Sequence, residues 1–283
     1  MKFLIQDYST LFHTESKYFN HILNNIEGCS SVLWSLDNQI SVYDMMDIVK
    51  PNVVITHANV LKQDLIIYLS ENPNIELILN ISGITQGNLQ QIEQIFTQYN
   101  INCNLCFVNY GEHYYMSSKF NIVSIYHGVD LFLPENSEIE YTIDKLYVVN
   151  NNLEKIEDNC SYHIVSHNKN IKENVDAVLS VHDLGGIYKN YNKVCIESFP
   201  NAKIVPQLFF DAVHYAKSVS FNGTREQLEE ICRILKVDNI KDSNKIKQII
   251  KEKHTCFNRT KSLLSQLRCT DLVNKLSTTM KEI

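Results

Sequence analysis

The chain has 283 residues, 44% of them hydrophobic and 20% charged, and its formal net charge is −6 at pH 7. Its apolar runs are far shorter than the roughly 20 residues of a membrane helix, so we predict no membrane partner. A DNA-binding protein without sequence preference is disfavoured, because such proteins are normally basic. The first five residues lack the basic region and cleavage site of a signal peptide, so we expect a cytoplasmic protein.

Eight cysteines are too few to form a disulfide scaffold in a chain of this length. We therefore expect reduced thiols. Cys103 and Cys106 form a CxxC motif, but a structural zinc site normally needs two such pairs. We predict no metal site.

The first half of the chain alternates between short apolar runs and stretches with helical spacing of apolar residues. The predicted strands are 2–5, 31–36, 53–56, 77–81, 105–109 and 122–125, and the predicted helices are 15–26, 42–49, 61–69 and 89–96. Strands separated by helices favour parallel βαβ units with right-handed crossovers. The first half is therefore predicted to be a Rossmann-like α/β domain.

A polar, acidic stretch over 135–143 suits a linker, and a second series of elements follows it. Its predicted strands are 145–149, 162–165, 177–181, 202–205 and 219–221, and its predicted helices include 192–200 and 224–235. Thr224 and Gln227 have the spacing of a capping box at the start of the last of these helices. We predict domains over 1–134 and 145–270, a linker over 135–144 and a final helix over 271–283.

The stretch 176–211 carries the clearest candidate binding site. Its strand 177–181 runs directly into a polar loop, and ligands of open α/β sheets lie beyond the carboxyl ends of strands. The polar side chains predicted to converge there are His182, Asp183, Lys189, Lys193 and Glu197.

The order of strand, loop, Lys-x-x-x-Glu at a helix start, and strand running into Pro resembles the donor site of GT-B glycosyltransferases. Two other segments are similar to sequence motifs of that superfamily. One is YHGVDLFLP over 126–134. The other is the C-terminal stretch in which the spacing of the motif is matched by His254, Thr255, Arg259, Leu263 and Leu264. The resemblance implies two Rossmann-like domains facing across a cleft, with the C-terminal helix returning to the first domain.

In that superfamily the residue matching Glu197 binds the ribose hydroxyls of a nucleotide sugar, and the resemblance implies phosphate contacts for Lys193 or Lys189. Many retaining members carry a second glutamate where this chain has Lys189, so the resemblance reaches the superfamily and no single family within it. Asn151 and Ser166 follow predicted strands and are further candidates for binding the base, phosphate or sugar.

An inverting transfer needs a base to deprotonate the acceptor hydroxyl. Asp7 and His13 follow the first predicted strand, and His57 follows the third. The alternative roles are an N-terminal turn for Asp7, a solvated loop for His13 and a helix-capping or sheet-end hydrogen bond for His57. The Asp-x-Asp of metal-dependent GT-A enzymes is missing, so we expect metal-independent chemistry with no cofactor besides the donor.

We therefore expect a glycosyltransferase that uses a nucleotide sugar, with UDP-sugar as the first choice, and a hydroxyl acceptor. The Asn-, Ile- and Lys-rich composition suggests an AT-rich genome, such as that of a phage or large virus. Some such viruses encode GT-B enzymes that glucosylate modified bases in their own DNA, so hydroxymethylated or already glucosylated viral DNA is one acceptor to test. The alternatives are a two-domain protein that binds a small ligand without catalysis, and an inactive glycosyltransferase-like subunit.

Overall fold

The structure is a computed structural model, and it describes most of the chain. The described ranges are 1–8, 15–35, 40–103, 105–109, 115–126, 128–129, 131–132, 145–148, 163–165, 177–179, 188, 191–197, 205–216 and 218–280. Within these ranges, none of the helices has both the length and the apolarity that crossing a bilayer requires.

The first half forms a six-stranded parallel sheet with the strand order β2-β1-β3-β4-β5-β6. Its strands are β1 (Lys2–Gln6), β2 (Ser30–Trp34), β3 (Val53–His57), β4 (Glu76–Asn80), β5 (Leu105–Asn109) and β6 (Asn121–Ile125). Its helices are α1 (Glu15–Asn24), α2 (Val42–Val49), α3 (Gln63–Glu71) and α4 (Gln86–Gln98). The α/β, Rossmann-like prediction is confirmed for this sheet.

Helices cover both faces of the sheet. Side chains of α2, α3 and α4 pack with Cys106 and Val108 in one core, whereas Phe107 points to the opposite face and contacts Phe19 of α1. Every residue of β3 and of β5 is buried. This continuous burial explains why these strands are apolar throughout and do not alternate.

The bounds predicted for α2 match the structure because both ends carry local signals. The Ser41 side chain accepts a hydrogen bond from the backbone N–H of Asp44, which caps the first turn. Lys50 follows the last turn in the left-handed conformation, with φ of 48°. The helix thus ends at Val49, two residues before Pro51, which cannot continue it.

The second series of elements forms a five-stranded parallel sheet with the order β11-β10-β7-β8-β9. Its strands are β7 (Lys145–Val148), β8 (His163–Val165), β9 (Ala177–Leu179), β10 (Lys193–Glu197) and β11 (Ser218–Asn222). Four of the five were predicted from their apolar runs, and β10 was not.

The helix predicted over 192–200 is wrong, because this segment contains β10. Val194, Cys195 and Ile196 are all buried between the neighbouring strands β7 and β11. β-Branched residues suit such a buried strand. Lys193 and Glu197 have a spacing that fits one helix face, but here they mark the two ends of a five-residue strand.

The strand predicted over 202–205 is also wrong at its last residue, where α5 (Val205–Tyr215) begins. Pro206 occupies the first turn of α5, a position that needs no backbone N–H donor. The rest of that predicted strand lies outside the described residues, as does the linker predicted over 135–144.

Four helices complete the chain: α6 (Arg225–Leu235), α7 (Ser243–Lys253), α8 (Cys256–Gln266) and α9 (Thr270–Thr279). The capping box predicted for α6 is confirmed, since Thr224 and Gln227 exchange both hydrogen bonds. His254 is the C-cap of α7.

The chain divides into two compact units. One unit contains Met1–Tyr126 together with Cys256–Ile283, and the other contains His127–Thr255. The segment that belongs with the first unit therefore begins at Cys256, ahead of the final helix. In this unit α8 packs against α1, and Lys275 of α9 donates a hydrogen bond to the carbonyl of Glu27 (2.9 Å).

Candidate functional site

Each sheet has a point at which its strand order reverses. In the first sheet β2 lies on one side of β1 and β3 lies on the other, so the reversal falls between β1 and β3. In the second sheet it falls between β7 and β10. Crevices at the carboxyl ends of such strand pairs are the usual ligand sites of open parallel sheets. The carboxyl edges of the two sheets at these reversal points are our candidate sites.

Asp7 follows the last residue of β1, at the reversal point of the first sheet. Its backbone N–H donates to the carbonyl of Trp34 (2.7 Å), and its carboxylate accepts a hydrogen bond from the hydroxyl of Ser16 (2.7 Å). Asp7 is partly exposed, whereas Gln6 and Tyr8 on either side of it are buried. Of the described candidates for a base, Asp7 alone combines a carboxylate with access to solvent.

His57 ends β3 and is fully buried. Its Nε2 lies 2.9 Å from the carbonyl of Ser82, and its Nδ1 accepts the backbone N–H of Asn59 (3.0 Å). A carbonyl can only accept, so the ring is the neutral tautomer with a proton on Nε2. Burial lowers the pKa of His57 to about 4. These contacts favour the sheet-end hydrogen bond over the catalytic role.

Protonation of His57 should make the fold sensitive to acid. Its pKa is about 4 in the folded chain and 6.5 in the reference state, so between these values the unfolded chain binds more protons. The resulting stability is present above pH 6.5 and disappears as the pH falls towards 4. A shift of this size contributes roughly 3 kcal/mol.

We expect His57→Gln to flatten the loss of stability between pH 6.5 and pH 4, as measured by denaturant unfolding. The variant His21→Gln, at an exposed position of α1, serves as the control and should keep the wild-type slope. An unchanged slope in His57→Gln would contradict the assignment of this acid sensitivity to His57.

A buried ion pair lies close to the carboxyl edge of the first sheet. Arg259 of α8 pairs with Glu15, the first residue of α1, and both side chains are almost completely buried. Nη2 of Arg259 also donates to Oδ1 of Asn109 (2.7 Å), and Nη1 donates to the carbonyls of Tyr126 (2.8 Å) and Ile125 (3.1 Å). The guanidinium therefore joins α8 to α1, to the end of β5 and to the end of β6.

Neighbouring polar groups satisfy the carboxylate of Glu15. The Tyr8 hydroxyl (2.9 Å) and the Asn80 amide (2.8 Å) both donate to Oε1. Burial, and then the Glu15 carboxylate, raises the pKa of Tyr8 well above its usual value. Burial lowers the pKa of Arg259, but Glu15, Tyr18 and Tyr8 together outweigh it, so the pKa is raised and the guanidinium keeps its charge.

We call Glu15, Arg259, Tyr8, Asn80 and Asn109 the polar network. It holds the first turn of α1, and Ser16 in that turn bonds Asp7. The network therefore supports the orientation of the candidate base through Ser16. The sequence carries a signal for it, since Asn80 and Asn109 each end a buried strand.

At the reversal point of the second sheet, Glu197 is the last residue of β10. Ile196 pairs with Val148, the last residue of β7, so Glu197 lies at the carboxyl edge beside the end of β7. The structure describes the backbone of Glu197 and not its side chain. The topology therefore places Glu197 at the carboxyl edge of the reversal point, which is a candidate site, although the predicted helix is absent.

The phosphate role implied for Lys193 does not fit the structure. Lys193 is the first residue of β10 and is exposed at the opposite, amino edge of the sheet. Four residues of extended strand separate its backbone from that of Glu197 by roughly 13 Å. The two residues therefore do not share one end of the sheet.

The remaining predicted site residues lie outside the described residues. They are His13, Asn151, Ser166, His182, Asp183 and Lys189. Among the residues that the structure describes, no group of three His, Cys, Asp or Glu side chains could hold a metal ion.

Sequence comparisons add no assignment to this geometry. No protein-family model matches the chain, and a search of curated proteins finds no significant match.

Proposed function

We propose that the protein is a metal-independent glycosyltransferase of GT-B architecture that transfers a sugar from a nucleotide sugar to a hydroxyl acceptor. The observation that carries the proposal is the position of Glu197 at the reversal point of a five-stranded parallel sheet. A carboxylate accepts hydrogen bonds only, so it suits the two hydroxyls of a ribose. A second parallel sheet in the same chain, with Asp7 at its own reversal point, supports a separate site for the acceptor.

In the proposed mechanism, the carboxyl edges of the two sheets bind different substrates. The second sheet binds the nucleotide, and the first sheet presents the acceptor hydroxyl to Asp7. In an inverting transfer Asp7 takes the hydroxyl proton, the hydroxyl oxygen bonds to the anomeric carbon, and the bond from that carbon to the diphosphate breaks. The diphosphate leaves with the electron pair. A GT-B arrangement, with the two edges facing each other across a cleft, is part of this proposal.

The donor site can be tested by calorimetric titration with UDP. We expect wild-type protein to bind UDP and Glu197→Gln to bind it roughly 10- to 100-fold more weakly, since a hydrogen bond to a charged group contributes about 1.5–3 kcal/mol. Glu226→Gln changes a carboxylate in the first turn of α6, at the exposed surface, and should bind like wild type.

Two results would overturn the donor assignment. They are the absence of binding to UDP and to other nucleoside diphosphates, and equal affinities in wild type and Glu197→Gln. Nucleotide binding without sugar transfer or donor hydrolysis would favour a ligand-binding protein or an inactive subunit instead. The acceptor screen should include hydroxymethylated DNA, already glucosylated DNA and small hydroxyl compounds.

A further inference from the structure

Three sulfur atoms gather at the amino edge of the first sheet, opposite the carboxyl edge that carries the candidate site of that sheet. Met1 precedes β1 and Cys29 precedes β2, and the register pairs Lys2 with Ser30. The Met1 nitrogen donates to the carbonyl of Gly28 (2.7 Å), and its carbonyl accepts the N–H of Ser30 (3.0 Å). Met1 therefore lies beside Cys29, with both side chains on the same face of the sheet.

The third sulfur comes from the C-terminal segment. Cys269 is the N-cap residue of α9, and its Sγ lies 3.7 Å from Sδ of Met1. Lys275 of α9 bonds the carbonyl of Glu27 (2.9 Å), which holds this helix against the turn that precedes Cys29. Residues 240 positions apart in the chain thus converge on Met1.

The geometry suits a shared metal ion. Two sulfur ligands at about 2.3 Å from one ion, with a tetrahedral angle between them, are roughly 3.8 Å apart. The observed separation of Cys269 Sγ and Met1 Sδ needs almost no adjustment to reach this value. A cavity of about 420 Å³ adjoins these atoms and is lined by Met1 and by residues 267–272.

We propose that Cys29, Cys269 and Met1 form a binding site for a soft monovalent metal ion of the Cu(I) type. Thiolate and thioether sulfurs prefer such ions to Mg²⁺ or Ca²⁺, which take oxygen ligands. Both cysteines are partly exposed, so an ion can reach them from solvent. The site is independent of the proposed glycosyl transfer.

Binding should release protons. An ordinary cysteine thiol has a pKa of about 8.5 and therefore carries a proton at pH 7. A metal ion binds the thiolate, and each thiol that coordinates therefore loses its proton to the buffer. Calorimetry in two buffers of different ionisation enthalpy should report about two protons for each ion bound.

The test is an anaerobic competition between the reduced full-length protein and bicinchoninate for Cu(I), followed by the absorbance of the chelator complex. We expect wild type to remove one Cu(I) per chain, and both Cys29→Ser and Cys269→Ser to lose most of this uptake. Cys232→Ser removes a partly exposed thiol on α6, and Cys103→Ser removes one thiol of the CxxC motif. Both controls should keep the uptake.

A second measurement does not depend on variants. X-ray absorption at the copper edge of the loaded wild-type protein should show a first shell made of sulfur alone. A shell of nitrogen or oxygen would overturn the proposal, as would no uptake by wild type. Uptake that is reduced equally in all four variants, or only in Cys103→Ser, would also overturn it.

Discussion

Arg259→Met is expected to destabilise the first unit by about 3–5 kcal/mol, which is the usual cost of removing one partner of a buried ion pair. The substitution leaves the carboxylate of Glu15 buried without its counter-charge. It also removes the hydrogen bonds from the guanidinium to Asn109 and to the carbonyls of Ile125 and Tyr126. Because these contacts join α8 to the sheet, we expect the C-terminal segment to loosen.

Denaturant unfolding followed by tryptophan fluorescence measures this loss of stability in the first unit. Trp34 is the sole tryptophan, and it is buried in the first unit. Lys275→Met is the matched control, because Lys275 lies in the same unit and forms an ion pair with Glu27 at the exposed surface. Exposed pairs contribute ~0–1 kcal/mol. Similar losses in the two variants would contradict the structural role of the polar network.

Asp7→Asn is expected to lower kcat/KM for sugar transfer by roughly 10²–10⁴-fold, the typical contribution of a general base. The amide keeps the shape of the side chain but cannot accept the proton of the acceptor hydroxyl at neutral pH. The affinity for UDP should stay unchanged, because Asp7 belongs to the first sheet and the proposed donor site to the second. Steady-state kinetics and calorimetry measure the two effects separately.

Asp64→Asn provides the control for this experiment, since Asp64 is an exposed carboxylate in the first turn of α3. It should transfer sugar at the wild-type rate. Full activity in Asp7→Asn would remove Asp7 from the mechanism. The search for a base would then turn to His13, because the buried ring of His57 already bonds Ser82 and Asn59.

The first sheet was predictable because its signals are local. Apolar runs such as Leu105–Asn109 are bounded by polar residues, and α2 lies between a capping serine and a proline. The pattern over 193–197 led to a wrong prediction of a helix. A lysine and a glutamate four residues apart can lie on one face of a helix, but they can equally lie at the two ends of a five-residue strand. The segment forms a strand because it is buried between β7 and β11. That burial depends on the whole sheet and cannot be read from the local sequence.

Within the polar network, the pairing of Glu15 with Arg259 was beyond sequence reasoning for a related reason. Glu15 and Arg259 meet across 244 positions of the chain, and neither residue has a local pattern that identifies the other. Asp7 was a candidate from its position after a strand alone, whereas its bond to Ser16 requires the fold. Local periodicity thus predicts the elements, and the contacts that orient the candidate base depend on tertiary packing.

A crystal structure of the full-length protein with UDP would test the central proposal most directly. We predict that the nucleotide lies at the carboxyl edge of β7 and β10, with the Glu197 carboxylate within about 3 Å of the ribose hydroxyls. A nucleotide bound at the first sheet or at the amino edge of either sheet, or a Glu197 side chain directed away from the ribose, would contradict it.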